Sequence, residues 1–109
     1  MKVEEFLTSE GKSPFEAWFL KLNAKAAAKV TTALARIEAG NTSNVKSVGA
    51  GVHEYRIDFG PGYRVYFGFD GETLVILLAG GTKKRQQSDI DSAKGRWKEY
   101  KQRKKKGGS

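Results

Sequence analysis

The spacing of apolar residues along the chain changes from a helical period to a strand period. Between Ser13 and Ala39 apolar residues recur every three or four positions, as on one face of a helix. Ser13-Pro14 followed by Glu16 is typical of a helix start, and Asn23 can cap a second helix that Gly40-Asn41 ends. The pattern predicts a helical hairpin with the apolar residues Phe15, Trp18, Phe19 and Leu22 on its first helix and Ala27, Val30, Leu34 and Ile37 on its second.

From residue 52 onward apolar and polar residues alternate, which is the pattern of half-buried strands. The alternation predicts strands over Val52–Phe59 and Tyr63–Phe69, joined by the turn Gly60-Pro61-Gly62. Asp70-Gly71 is typical of a two-residue hairpin turn. The segment Thr73–Ala79 after it is apolar at nearly every position, as expected of a strand covered on both faces.

The remaining segments complete the predicted fold. Val3–Thr8 is a candidate short strand, the polar stretch Asn41–Gly51 is expected to be a loop, and Gly80-Gly81 is expected to end the sheet. Ser88 can cap a last helix whose apolar residues Ile90, Ala93, Trp97 and Tyr100 lie on the sheet. The predicted fold class is therefore α+β: an N-terminal helical hairpin packed on a small antiparallel sheet and closed by a C-terminal helix.

The expected strand register brings several basic residues together. A first hairpin centred on Pro61 places Arg56 opposite Tyr66 and Asp58 opposite Arg64, on the face away from the apolar set Tyr55, Ile57, Phe59, Tyr63, Val65 and Phe67. The second hairpin places Leu77 beside Arg64, so the chain leaves the sheet next to the first turn. We expect one concave surface bordered by Arg56, Arg64, Tyr66, Lys83, Lys84 and Arg85, with Lys46 as an outlying candidate. Lys and Arg donors around one site suit a phosphodiester.

Structural roles for the same residues stay open at this point. Arg56 can form an ion pair with Glu54 or Asp58, because opposite charges on neighbouring strands often pair. Arg64 can pair with Asp58 in the same way. His53 alternates with the core-facing residues, so packing at a strand end is favoured over a role as a catalytic base.

The charge of the chain is concentrated at its C-terminal end. Residues 1 to 82 contain nine Lys/Arg and nine Asp/Glu, whereas residues 83 to 109 contain eleven Lys/Arg and three acidic residues, so the whole excess of +8 lies there. A neutral body with a basic C-terminal segment favours a polyanionic partner, nucleic acid first. We predict a single domain over residues 1–100, followed by a basic tail over residues 101–109.

The composition excludes several kinds of site. The chain has no cysteine, which rules out disulfides, zinc–thiolate centres and cysteine nucleophiles. Its single histidine rules out a metal site made of histidines alone, and we expect neither a metal nor a cofactor. No apolar run approaches the ~20 residues of a membrane span, and the first residues do not resemble a signal peptide. We therefore expect a cytoplasmic protein without membrane contact.

Several motifs are similar to those of one known family. The order of Ser13-Pro14-Phe15, Val48–Ile57 (VGAGVHEYRI), Gly60–Phe67 (GPGYRVYF) and Gly80–Lys83 (GGTK) resembles the short "addiction module killer protein" branch of the RelE/ParE toxin superfamily, also called HigB-like or phage Gp49-like. The resemblance extends from about Ser13 to Ala93 and does not cover the tail. It implies a RelE-like fold and the function of a toxin in a type II toxin–antitoxin system.

RelE-like toxins cut mRNA in the ribosomal A site, where an RNA 2′-hydroxyl attacks the adjacent phosphate. The resemblance therefore implies an endoribonuclease that inhibits translation, in which basic side chains orient the phosphate, and the candidates are Arg56, Arg64, Lys83 and Lys84. Ile90 falls near a position where several relatives carry a Tyr or His for proton transfer, and Tyr66 is the candidate replacement. The basic residues expected to bind RNA are Lys46, Arg85, Lys98, Lys101 and Arg103.

The resemblance also implies partners. These are a cognate helix-turn-helix antitoxin encoded in the same operon, the ribosome with its mRNA, and operator DNA bound through the antitoxin complex. Two other functions stay open: a ParE-like poison of DNA gyrase, and a non-catalytic nucleic-acid-binding module that uses the basic tail. Substitution of Arg64 should abolish the activity of a nuclease but should matter little for such a module. The activity of the module would instead be lost on deletion of residues 101–106.

Overall fold

The computed structural model describes residues 1 to 107, and the last two residues of the predicted tail, Gly108 and Ser109, lie outside the described residues. Five strands, three α-helices and one 3₁₀ turn are present in this part of the chain. In chain order they are β1 (Lys2–Glu5), α1 (Pro14–Phe19), α2 (Ala24–Glu38), β2 (Val45–Gly49), β3 (Val52–Ile57), β4 (Tyr63–Asp70), β5 (Leu74–Thr82), the 3₁₀ turn (Lys83–Arg85) and α3 (Gln86–Gly107).

The strands form one sheet in the order β1-β5-β4-β3-β2. The pairs β2–β3, β3–β4 and β4–β5 are antiparallel, and β1 lies parallel to β5 at one edge. The α+β class is confirmed. Strand β2 was predicted to be a loop, and that prediction is wrong. As an edge strand β2 is mostly exposed, so its side chains need not alternate between apolar and polar.

Helices cover both faces of the sheet and build two separate cores. On one face α1 and α2 pack on the predicted apolar residues of β3 and β4, namely Tyr55, Ile57, Tyr63, Val65 and Phe67. On the other face α3 packs through the predicted residues Ile90, Ala93 and Trp97. Strand β5 is apolar at nearly every position because Val75 and Leu77 belong to the first core, whereas Ile76 and Leu78 belong to the second.

The N-terminal helices begin where the sequence predicts. The Ser13 hydroxyl accepts a hydrogen bond from the backbone N–H of Glu16 at 3.0 Å, and the Asn23 side chain caps α2 in the same way at 2.9 Å. However, α1 ends at Phe19 after six residues, so Leu22 lies outside it. The predicted helical hairpin is not confirmed, because α1 packs mainly against β5 and not along α2.

The register of the first hairpin differs from the prediction by two residues. Arg56 lies opposite Arg64, and Glu54 lies opposite Tyr66. The loop between β3 and β4 runs from residue 58 to residue 62, so its centre is Gly60 and not Pro61. A shift of two residues keeps every side chain on its predicted face, which is why the core-facing residues are right although the opposing partners are wrong.

The second hairpin also has a longer turn than predicted. Strand β4 ends at Asp70 and β5 begins at Leu74, so three residues form the turn, and the predicted two-residue turn is wrong. A register shift between Tyr66 and Phe67 adds to the change. As a result Arg64 lies opposite Gly81 and not beside Leu77.

Strand β5 continues through Gly80 and Gly81, which were predicted to end the sheet. A Cβ atom on Gly80 would collide with the indole of Trp18, and one on Gly81 would collide with the carboxylate of Asp89. The two glycines therefore make room for close packing on both faces of the sheet. Helix α3 begins at Gln86, directly after the 3₁₀ turn, so the prediction that Ser88 caps this helix is wrong.

Candidate functional site

The carbonyl oxygen of Gly62 brings two of the predicted site residues together. It accepts a hydrogen bond from Arg64 Nη1 at 2.8 Å and another from the backbone N–H of Lys83 at 2.9 Å. Gly62 has φ of +78°, and a Cβ atom there would lie 3.1 Å from Arg64 Nη1, so only glycine fits without strain. We call this arrangement of Gly62, Arg64 and Lys83 the Gly62 junction.

The buried carboxylate of Glu54 forms an ion pair with the Arg64 guanidinium. Its Nε lies 3.8 Å from Glu54 Oε2, and the same oxygen accepts a hydrogen bond from Gln86 Nε2 at 2.8 Å. Only 6% of the Arg64 side chain and none of the Glu54 side chain are exposed. The ion-pair interpretation of Arg64 is therefore correct, but its partner is Glu54 and not Asp58.

A polar cluster surrounds this ion pair between the sheet and the first turns of α3. The Tyr66 side chain is fully buried, and burial, followed by the negative charge of Glu54, raises its pKa well above the ordinary value. The hydroxyl of Tyr66 therefore stays protonated at neutral pH. Four buried polar atoms have no hydrogen-bond partner among the described residues: Glu54 Oε1, Arg64 Nε, Tyr66 Oη and Asp89 Oδ2.

Asp89 and Arg96 form the side of this cluster that belongs to α3. Burial raises the pKa of the Asp89 carboxyl, while the positive charges of Arg85 and Arg96 act in the opposite direction. Arg96 donates a hydrogen bond to the backbone carbonyl of Leu78 at 3.0 Å, and burial lowers its pKa. These contacts hold α3 over Arg64 and Tyr66.

The other predicted residues near the junction point to solvent. Arg56 is exposed and lies directly opposite Arg64 on the neighbouring strand. Lys83, Lys84 and Arg85 are exposed along the 3₁₀ turn that follows β5. Lys46 is exposed on the edge strand β2. The structure thus places the exposed residues Arg56, Lys83, Lys84 and Arg85 near the buried Arg64, and Tyr66 is buried on the same face of the sheet.

The basic residues of the C-terminal half of α3 lie apart from this junction. Lys98 is exposed, and Lys101 Nζ lies 5.8 Å from the centroid of the Trp97 ring. Arg103 packs over the ring of Phe6 at 5.1 Å and donates a hydrogen bond to the carbonyl of Leu7. These contacts anchor α3 at the far end of the sheet, so Arg103 is not close to Arg64.

His53 packs between aromatic rings, as the sequence analysis favoured. Its ring centroid lies 4.9 Å from that of Phe69 and 5.8 Å from that of Phe67, and burial lowers its pKa. Among residues 1 to 107, no group of three or more His, Cys, Asp or Glu side chains could hold a metal ion. No helix in this part of the chain is long and apolar enough to cross a membrane.

Sequence reasoning missed Gln86 and Asp89, and considered Glu54 only as a partner of Arg56. The signal for Glu54 was its position, because it shares the strand face of Arg56 and Arg64 through the period of two. The burial of that face depends on α3, and no local pattern reports where a distant helix packs. The partner of Arg64 could therefore be found only from the tertiary structure.

Comparison with known proteins shows a family and a relative that this chain resembles. The family model described as "Phage derived protein Gp49-like (DUF891)" matches residues 17–98, which include the Gly62 junction and end before Lys101. An uncharacterized protein of Haemophilus influenzae is 47% identical over 81 residues, which cover 73% of this chain and 82% of the relative.

Proposed function

Because the chain belongs to the Gp49-like family of phage-derived proteins, which is associated with toxin–antitoxin toxins, we propose that it is the toxin of a type II system and cuts mRNA on the ribosome. The observation that carries the nuclease proposal is the Gly62 junction, where the guanidinium of Arg64 and the start of the Lys83 turn meet. Arg56 lies opposite Arg64 on the neighbouring strand, so several cationic groups lie close to one another at this end of the sheet.

In the proposed reaction the 2′-hydroxyl of one nucleotide attacks the adjacent phosphorus, and the bond to the 5′-oxygen of the next nucleotide breaks. The products are a 2′,3′-cyclic phosphate and a free 5′-hydroxyl, so the proton lost by the 2′-hydroxyl is balanced by the one that the 5′-oxygen gains. Negative charge grows on the phosphate oxygens during this step. Fixed cationic donors stabilise that charge, typically by several powers of ten in rate.

Each cationic residue has a separate role in the proposal. Arg64, held by Glu54 and Gly62, is the fixed donor, and the exposed Arg56, Lys83 and Lys84 contact the phosphate oxygens. The Tyr66 side chain fills the buried cluster beside Glu54 and keeps its hydroxyl proton. The residues at the junction thus supply orientation and charge, and the ribosome aligns the 2′-hydroxyl with the phosphorus.

The proposed partners are the ribosome with its mRNA and an antitoxin encoded in the same operon, whose complex with the toxin binds operator DNA. The exposed cations Lys46, Arg85, Lys98 and Lys101 would attract RNA without reading its sequence.

The test is to map mRNA 5′ ends after induction of the protein in cells. We expect new internal 5′ ends with the wild type and at least a 100-fold loss of cleavage with Arg56→Gln combined with Lys83→Gln. These two residues are exposed, so the substitutions spare the buried ion pair of Arg64. The matched control is Lys12→Gln combined with Lys21→Gln, which removes the same charge from exposed positions elsewhere. Growth arrest with intact mRNA and broken DNA would instead identify a gyrase poison.

A further inference from the structure

A groove lies between α2 and the end of β3, beside the Gly62 junction but separate from it. It consists of two adjoining cavities of about 270 and 260 Å³ that share Asn44, Arg56 and Asp58 in their walls. Strand β2 begins only at Val45, which leaves this end of β3 open to solvent. We call it the α2–β3 groove, and its cationic residues are Lys29, Arg36, Lys46 and Arg56.

The groove carries an excess of unpaired positive charge. Within residues 1 to 107, none of its four cations has a carboxylate within 4 Å, and Asp58 is the single acidic residue in its walls. Arg36 lies in the last turn of α2, where a positive charge is favourable for the helix, and Lys29 lies over the ring of Phe59, but Lys46 and Arg56 have no such explanation. Lys29 and Arg36 on α2, with Lys46 and Arg56 at the edge of the sheet, line the two adjoining cavities. Such an arrangement of cations suits an anionic ligand such as a phosphodiester.

An aromatic ring stands in the same groove. Phe59 is half-buried against the core that α2 covers, and Lys29 Nζ lies 5.3 Å from the centroid of its ring, so a base that stacks on this ring also meets the Lys29 cation. Cations that follow a backbone, combined with an aromatic ring on which a base can stack, are typical of sites that bind single-stranded nucleic acid. A double helix keeps its bases stacked on one another, so it could use the cations but not the ring.

Arg56 connects the groove to the Gly62 junction. It lines both cavities and lies directly opposite Arg64, and paired residues of antiparallel strands are about 5 Å apart at Cα. Arg56 is therefore near enough to both places for one RNA strand to reach from the junction into the groove.

We propose that the α2–β3 groove binds the single-stranded RNA that adjoins the cleaved bond, with Arg36 and Arg56 on a neighbouring phosphate and Phe59 against a base. This inference rests on the proposed function for the position of the RNA relative to the cleaved bond. The groove binds RNA whether or not the Gly62 junction cuts it.

The experiment measures binding without cleavage. Fluorescence anisotropy of a 5′-labelled eight-nucleotide RNA with 2′-O-methyl groups, which cannot react, is recorded with the wild type and with Arg36→Gln, Phe59→Leu and the control Lys12→Gln. We expect Kd to rise about tenfold for Arg36→Gln and for Phe59→Leu, and less than twofold for the control. Urea unfolding of each variant shows whether its fold is retained.

The outcomes separate the groove from the nuclease. Equal Kd values for Arg36→Gln, Phe59→Leu and the control would overturn the groove, even if the wild type cuts mRNA in cells. Tighter binding of an RNA duplex than of the single strand would also overturn it. If the two groove variants lose RNA binding while the wild type cuts no mRNA, the result supports RNA binding by the groove and contradicts the proposed nuclease activity.

Discussion

The ion pair between Glu54 and Arg64 is the feature on which the candidate site depends most. Both side chains are buried, and each has one further anchor, since Gln86 donates to Glu54 and Arg64 donates to the carbonyl of Gly62. Removing two charges from water is unfavourable by several kcal/mol per ion, and their attraction offsets this only when they stay paired. The pair therefore fixes the position of Arg64 more than it stabilises the fold.

This account predicts a large effect of Glu54→Gln. The substitution leaves the guanidinium of Arg64 buried without its carboxylate, so we expect the free energy of unfolding to fall by about 3 kcal/mol. Urea unfolding measures the change, and Glu72→Gln in the exposed turn after β4 is the control, with an expected change within about 0.5 kcal/mol. A loss below about 1 kcal/mol for Glu54→Gln would show that the pair contributes little to holding Arg64.

The helices are placed on the sheet by aromatic rings that lie on glycines. Trp18 packs on Gly80 of β5 from one face, and Trp97 packs on Gly68 of β4 from the other. Gly95 differs from these two, because it lies on the exposed side of α3, where a Cβ atom would meet no side chain and no other element within 4 Å. The same residue type is thus required by packing in the strands and tolerated in the helix.

The contrast between Gly80 and Gly95 predicts that a change of glycine to alanine has opposite effects on stability at the two positions. Gly80→Ala forces the added methyl group into the indole of Trp18, and we expect a destabilisation of about 2 kcal/mol or more. Gly95→Ala removes an unfavourable residue from an exposed helix, and we expect a stabilisation of about 1 kcal/mol. Thermal or urea unfolding of the two variants in parallel measures both. A stable Gly80→Ala variant would show that α1 can move away from β5 at little cost.

Most of the excess positive charge of the molecule lies along its longest helix, α3. Residues 83 to 106 hold the entire excess positive charge, and α3 carries most of it from the Gly62 junction to the far end of the sheet. Lys98, Lys101 and Lys105 follow one another at helical spacing and are all exposed. Arg103 and Lys104, in contrast, are bound to Leu7 and Asp70, so charge counts alone overestimate the free cations of this segment.

This arrangement predicts a salt-dependent, sequence-independent affinity for nucleic acid. Replacing Lys98, Lys101 and Lys105 by Gln should make the plot of log binding constant against log salt concentration less steep for a DNA duplex. The magnitude of its negative slope should fall by about 2–3, because each lost phosphate contact reduces it by about 0.9. The control triple variant is Lys12→Gln, Lys21→Gln and Lys25→Gln, which leaves the same net charge. Equal slopes for the two triple variants would mean that total charge matters and its position on α3 does not.

Much of the fold was predictable because its determinants are local. The caps Ser13 and Asn23, the two-residue period of β3 and β4, and the apolar face of α3 all depend on residues a few positions apart. The opposing partners across the hairpins were not predictable, because each depends on how many residues the turn uses. Strand β2 was missed because an exposed edge strand needs no apolar alternation.

The candidate site likewise has features that depend on local sequence and features that depend on the tertiary structure. The sequence by itself determined that Arg56 and Arg64 share a strand face and that the basic turn at Lys83 follows the last strand, since both depend on period and order along the chain. Only the tertiary structure decided that α3 covers this face, that Glu54 and not Asp58 holds Arg64, and that Tyr66 is buried. The physical reason is that burial, and with it the cost of an unpaired charge, depends on elements far apart in the chain.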